Sequence, residues 1–187
     1  LYARLADGKI LRGETKIDVP QGSYRARVEK VWLEPQARVN PSVRRVLHSA
    51  DLIVIGPGDL YTSVIPNLLV EGVSDAIRKS KAKKVYIANI MTKFGETHGF
   101  KAEDFVEEVE KYLGKKVLDY VVFNTRKPPP VVLNRYQREK AEFVEPPAPR
   151  SGKSKPKYVF ADLLDPGKFV RHSPRKKLAK VLLGLLR

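Results

Sequence analysis

Gly56-Pro57-Gly58-Asp59-Leu60-Tyr61-Thr62-Ser63 is the stretch of this sequence whose residue types best suit chemistry. Glycines flanking a proline let a backbone turn sharply and come close to a bound group. The N–H groups at the start of a following helix then favour a phosphate or a carboxylate. The Thr62 and Ser63 hydroxyls, next to Tyr61, would add donors. The charge of Asp59 would oppose a phosphate, so its expected partner is a sugar hydroxyl or a metal ion. The spacing is neither that of a P-loop nor that of the dinucleotide fingerprint. A tight turn that needs glycine for its own sake is the competing explanation.

A second polar loop runs from Asn89 through Ile90, Met91, Thr92 and Lys93 to Gly95-Glu96-Thr97-His98-Gly99. Asn89 and Thr92 are suited to a base or ribose, and Glu96 to accepting from a hydroxyl. The alternative for this stretch is that Thr97 only caps the next helix. Arg171, in Arg171-His172-Ser173-Pro174, stands just before a helix start, where its fork of donors could add to an anion held there. A plain surface arginine is the competing reading. His48, His98 and His172 are scattered without ligand spacing, so no metal site is assigned, and sequence order supplies no nucleophile–histidine–acid set. No catalytic residue is assigned.

These loops need elements to hold them. Leu52-Ile53-Val54-Ile55, Val85-Tyr86-Ile87-Ala88 and Tyr120-Val121-Val122-Phe123 are continuous apolar runs, as expected of strands covered on both faces. Between the first two, Leu69, Val70, Val73 and Ile77 fall on one stripe of a helix expected from Pro66 to about Lys79. Phe105, Val109, Tyr112 and Leu113 mark a second helix, stopped by Gly114. Strand–helix alternation of this length predicts an α/β fold with a mainly parallel sheet, whose ligands bind at the carboxyl ends of the strands.

Outside that run, residues 24–33 alternate as a half-buried strand, preceded by an element edge with a turn at Asp7-Gly8. Asn40-Pro41 signals a helix start, and the helix runs to about Ser49. A helix is expected through Tyr136 and Arg138, a last strand over residues 158–164, and a final helix capped by Ser173 with Leu178, Val181, Leu182 and Leu185 on one face. Residues 145–157, rich in Pro and Lys, read as a mobile surface loop. The whole of 1–187 is read as one domain.

The 187 residues carry 36 Lys/Arg against 21 Asp/Glu and no cysteine, which excludes disulfides and thiolate metal sites. Residues 126–187 hold 16 of the basic and 5 of the acidic residues. That asymmetry admits a nucleic-acid partner, but a solvated, Lys- and Arg-rich face explains it as well, and no recognised nucleic-acid motif is present. No apolar run approaches the roughly 18 residues of a membrane span, so no membrane partner and a cytoplasmic location are expected.

Ile55-Gly56-Pro57-Gly58-Asp59-Leu60-Tyr61-Thr62-Ser63-Val64-Ile65-Pro66-Asn67-Leu68-Leu69-Val70 resembles the central motif of the YvcK-type gluconeogenesis factors, which share a superfamily with the 2-phospho-L-lactate transferases (CofD). Asn89-Ile90-Met91-Thr92 with Gly95-Glu96-Thr97 is similar to the next family motif. Arg171-His172 is similar to its C-terminal pair, and Tyr136 with Ala141-Glu142 to a tyrosine-bearing helix. The resemblance implies a Rossmann-like three-layer fold, of which this chain looks like the C-terminal portion, without the N-terminal strand and its glycine loop. It implies a UDP-sugar ligand, notably UDP-N-acetylglucosamine, and a regulatory role in carbon metabolism and cell-wall synthesis. In that reading Gly56 and Gly58, flanking Pro57, present backbone donors to the ligand, Tyr61, Thr62 and Ser63 line the pocket, Asn89 and Thr92 read the nucleoside, Arg171 holds the diphosphate and Tyr136 stacks on the base. The transferase branch implies instead a phospholactyl transfer from a guanosine diphosphate donor to a deazaflavin, with magnesium. Members commonly carry aspartate where His98 and Ser173 stand, and histidine at Phe105, and the lost acids argue against metal-assisted transfer. The sheet edge left without the N-terminal strand could be covered by self-association, giving a homo-oligomer.

Overall fold

The computed structural model describes residues 1–22, 25–149, 155–165, 167 and 169–186, apart from the side chains of residues 174 and 175. Two sheets are present rather than one. Tyr2–Leu5 (β1) pairs antiparallel with both Ile10–Arg12 (β2) and Val28–Trp32 (β3), in the order β2-β1-β3. The physical reason is local: the turn at Asp7-Gly8, with Gly8 at φ +84° and the Lys9 N–H bonded to the Asp7 carboxylate, returns the chain beside itself. β3 is shorter than the alternation suggested; Tyr24 lies outside the described residues. Ala3, Leu5, Val28 and Val31 are buried, and the short helix α1, Glu14–Asp18, adds the fully buried Ile17.

The second sheet is parallel, as expected: Leu52–Ile55 (β4), Lys83–Ile87 (β5), Tyr120–Asn124 (β6) and Lys157–Ala161 (β7) lie in chain order. Its middle strands show why continuous apolar runs were required. Tyr86, Ala88, Val121 and Phe123 belong to the larger core, with Phe105, Val109 and Leu113 of α5 (Ala102–Leu113). The alternate residues Val85, Ile87 and Val122 belong to a second core with Leu163, Leu178 and the partly buried Val181, Leu182 and Leu185. The last three lie on α7, Ala179–Leu186. Side chains alternate across a strand, so a sheet with a helix layer on each face needs apolar residues at every position.

Three boundaries differ from expectation. The single helix over 66–79 is two: α3, Ile65–Leu69, and α4, Val73–Lys79. Gly72 between them adopts φ +89°, and the Glu71 carboxylate instead holds Arg38 at 3.1 Å. The loop after β4 does not enter an α-helix directly but passes through a wider π-helical turn, Leu60–Val64, where the Val64 N–H reaches the Asp59 carbonyl. The last strand stops at Ala161, after which Leu164 bridges His172.

α2, Pro41–Ser49, and α6, Pro130–Arg138, stand where expected, α2 with Asn40 accepting from the Ser42 N–H at 2.9 Å. Of the loop expected at 145–157, residues 150–154 lie outside the described residues.

Candidate functional site

The carboxyl ends of β4 and β5 open onto a cleft of about 920 Å³. Pro57, Gly58 and Asp59 come from the loop after β4, and Asn89, Thr92 and Lys93 from the loop after β5. α6 and the chain beyond it contribute Tyr136, Glu139 and Ala141, and the segment before α7 contributes Val170, Arg171 and His172. Asp18 to Pro20, at the end of α1, close the wall nearest the antiparallel sheet. Residues from Pro57 to Leu178 are gathered by the parallel order of β4, β5, β6 and β7, which brings successive loops to one edge.

Several of these side chains fasten the loops to one another. The Asn89 amide donates to the Gly58 carbonyl at 2.9 Å, tying the first loop to the second. Thr92 is 3% exposed: its hydroxyl accepts the Glu142 N–H at 2.8 Å while its own N–H donates to the Glu142 carbonyl. The Tyr136 hydroxyl accepts the Val170 N–H at 3.1 Å, anchoring α6 to the segment that carries Arg171. The guanidinium of Arg171 lies 5.4 Å from the Phe169 ring centre, and that of Arg135 lies 4.9 Å from the same ring. His172 Nε2 stands 3.1 Å from the Ala88 carbonyl; a carbonyl only accepts, so the proton is on Nε2. Burial lowers the His172 pKa, with that carbonyl acting the other way.

The glycines are required by the turn itself. Gly56 has φ +79°, and a Cβ there would sit 3.1 Å from the Ile87 carbonyl oxygen; one at Gly58 would sit 3.0 Å from the Ser63 Cβ. At Gly56 the close approach is to the neighbouring strand β5, and at Gly58 to the π-helical turn that follows.

Gly56, Tyr61, Thr62, Ser63 and Glu96 do not line the cleft. Tyr61 is 1% exposed and its hydroxyl points to the Val28 carbonyl at 3.5 Å, on the side of the antiparallel sheet. Ser63 is exposed and, with Gly56, borders a different hollow along β4. Glu96 has no exposed surface; its carboxylate accepts the Tyr61 N–H at 3.1 Å and the Thr62 hydroxyl at 3.4 Å. The backbone donor expected to meet a ligand phosphate at Tyr61 is thus met by an internal carboxylate. The helix-start attraction for anions operates here, but on Glu96.

At the cleft floor is a compact charge cluster, with Glu96 buried beneath it. Asp18, Asp59 and Glu96 present carboxylate oxygens within 4.8 Å of one another, and Lys93 Nζ joins all three, bonding Asp18, Asp59 at 2.6 Å and Glu96 at 3.4 Å. Thr62 adds a hydroxyl to Asp18 at 3.3 Å. Burial raises the Glu96 pKa to about 7, against the opposing charge of Lys93. For Asp18, burial acts upward but the hydrogen bond and charge of Lys93 outweigh it, leaving the pKa lowered. Lys93 is itself raised, the bonds to Asp18 and Asp59 overcoming the effect of its burial. Asp18 and Lys93 were missed as site residues. No local signal marks Asp18, which belongs to the other sheet's helix and meets Thr62 across 44 residues. For Lys93 a signal existed, an i,i+3 pairing with Glu96 in the same loop.

The trio is the one grouping among the described residues able to hold a metal ion. Its central position is taken by the Lys93 ammonium, which already supplies a positive charge to all three carboxylates. The residues present do not fit a magnesium ion while Lys93 occupies that position.

Residues 1–164 match the family described as 2-phospho-L-lactate transferase CofD. Among curated relatives, the putative gluconeogenesis factor of Thermotoga maritima is 48% identical over 145 residues, covering 78% of this chain and 45% of the relative. The gluconeogenesis factor of Bacillus subtilis is 38% identical over 146 residues, with the same two coverages. The chain thus spans about half the length of the curated relatives it matches. A crystal structure of a UPF0052 family member from Bacillus halodurans superposes with a TM-score of 0.88 at 32% identity, covering 97% of this chain and 57% of that one. Among the described residues no helix is long and apolar enough to cross a membrane.

Proposed function

The chain belongs to the CofD/UPF0052 family, and from that premise we propose that it is the ligand-binding part of a cytoplasmic regulator of carbon metabolism and cell-wall synthesis that takes a UDP-sugar in the β4–β5 cleft. The observation carrying this reading is the convergence of Gly58, Asn89, Tyr136 and Arg171 on one cavity of about 920 Å³. That size lies within the range of pockets for small ligands and cofactors, roughly 300–1,000 Å³. Arg171 supplies the charge for a diphosphate at the rim, Tyr136 an aromatic face for a base, and Asp59 an acceptor for a sugar hydroxyl at the cleft floor. With Glu96, Thr62 and Tyr61 engaged below the floor, binding rests on the rim residues and on the loop backbone at Gly58.

Calorimetric titration with UDP-N-acetylglucosamine, against GDP at the same salt, tests this. Saturable micromolar binding, weakened about tenfold or more by Arg171→Ala, supports the reading, because truncating the charged partner of a phosphate commonly costs 2 kcal/mol or more. Binding of GDP alone, or no effect of Arg171→Ala, counts against it.

The second reading is the phospholactyl-type transferase of the family's name, and the three-carboxylate cluster is the feature favouring it. Lys93 argues the other way, since a metal-assisted reaction would require that side chain to leave. Magnesium-dependent product formation with a guanosine diphosphate donor and a deazaflavin would select this second reading.

A further inference from the structure

A second hollow, of about 460 Å³, lies on the far side of the segment 18–21, and Val19 borders both it and the cleft. Its wall carries four cations, Lys9, Arg12, Lys16 and Arg25, and no carboxylate. Lys9, Arg12 and Lys16 are exposed, and among the described residues none of the three forms an ion pair. Four like charges around one hollow repel each other and raise the local concentration of anions.

Arg25 is the decisive member. It is 7% exposed, and all three guanidinium nitrogens lie buried without a hydrogen-bond partner. Glu96 and Asp18 are near enough to act on it through their charge, but neither bonds it. A buried guanidinium with five unused donors is costly, and native structures rarely leave one so. Removing this arginine from water gives up its hydration without replacing it, unless an oxyanion completes the fork.

We infer that the hollow bounded by Lys9, Arg12, Lys16 and Arg25 is an anion-binding site, separate from the cleft, for a small molecule bearing a dianionic phosphate. The Arg25 nitrogens are closed to solvent, so its fork engages a dianion by turning toward the hollow, with the remaining phosphate oxygen facing the exposed cations. Ile10 and Val19, 59% and 58% exposed at the same hollow, provide apolar surface for the body of such a molecule.

The test is titration of the 187-residue chain with inorganic phosphate at pH high enough for the dianion, with acetate at matched ionic strength as the monoanion control. Arg171→Ala is built into every protein used, so that the cleft's rim cation contributes nothing. Backbone amide NMR reports where the anion sits. The expected result is saturable phosphate binding with shifts over residues 9–21, weakened about tenfold by Arg12→Gln with Lys16→Gln and lost in Arg25→Met. The double variant changes only exposed side chains, so it remains decisive even where Arg25→Met fails to fold. Absence of saturable binding, shifts confined to residues 56–59 and 89–94, or full binding by the double variant would overturn the site. Equal response to acetate would overturn its assignment to a dianion.

Discussion

Replacing Glu96 by glutamine isolates the energetic consequence of placing a carboxylate where no water reaches it. Glu96 is completely buried, and its pKa rises from an ordinary 4.5 to about 7. A raised folded-state value means that the folded protein binds the proton more tightly than the unfolded chain. This group therefore favours the folded state below its ordinary value and costs stability progressively as pH rises toward 7. At about 1.4 kcal/mol per pH unit, the gap amounts to about 3 kcal/mol, with the attraction of Lys93 already included in it. Glutamine has nearly the same shape, keeps an acceptor for the Tyr61 N–H and cannot ionise. Urea unfolding of wild type and Glu96→Gln, at steps between about pH 5 and pH 8, measures the difference; groups unaffected by the change cancel. The stability of the variant relative to wild type is expected to improve by about 2–3 kcal/mol across that range, whatever its offset at the acid end. A difference that stays flat, or moves the other way, would falsify the raised pKa and with it the account of the buried cluster.

Asp18 should behave with the opposite sign: its lowered pKa contributes stability above the ordinary value of 3.8 that is lost as pH falls through the folded one. Acid unfolding of Asp18→Asn should therefore differ from wild type at neutral pH and converge with it in strong acid. Gly56→Ala forces a side chain into φ +79° and against the Ile87 carbonyl, and should cost about 1–3 kcal/mol, read as a lowered thermal midpoint. A midpoint within error of wild type would show that the β4 turn relaxes freely. Leu178→Ala removes a 6% exposed side chain from the smaller core and should cost about 2–4 kcal/mol, with early loss of hydrogen-exchange protection in α7. Uniform loss of protection over all helices would mean that α7 is not a separately docked element.

Much of the parallel sheet could be read from residue order, because a middle strand such as Tyr120–Asn124 must be apolar at nearly every position to lie between two helix layers, whereas Val54 on the edge strand β4 is exposed. Helix ends marked by stereochemistry were equally legible: Asn40 with Pro41, and Gly114 at φ +113° after α5. These signals are local, acting within one turn of chain. The loops named as a site also followed from order alone, since parallel strands place successive loops at a common edge, and the cleft does gather Pro57, Gly58, Asp59, Asn89, Thr92, Tyr136 and Arg171.

Which atoms of those loops face the cleft was decided in three dimensions. Tyr61 and Glu96 look like ligand residues in a polar, glycine-containing loop. The π-helical turn directs Tyr61 under the antiparallel sheet, and the Tyr61 N–H draws Glu96 into the interior. Asp18 reaches the cluster only because a tight turn at Asp7-Gly8 folds the first residues into a sheet of their own, which sets α1 against the π-helical turn. The charge balance around Lys93 then depends on distances between chain segments that no spacing in the sequence encodes. Local stereochemistry writes strands, caps and turns into neighbouring residues, whereas burial and charge pairing are properties of the packed whole.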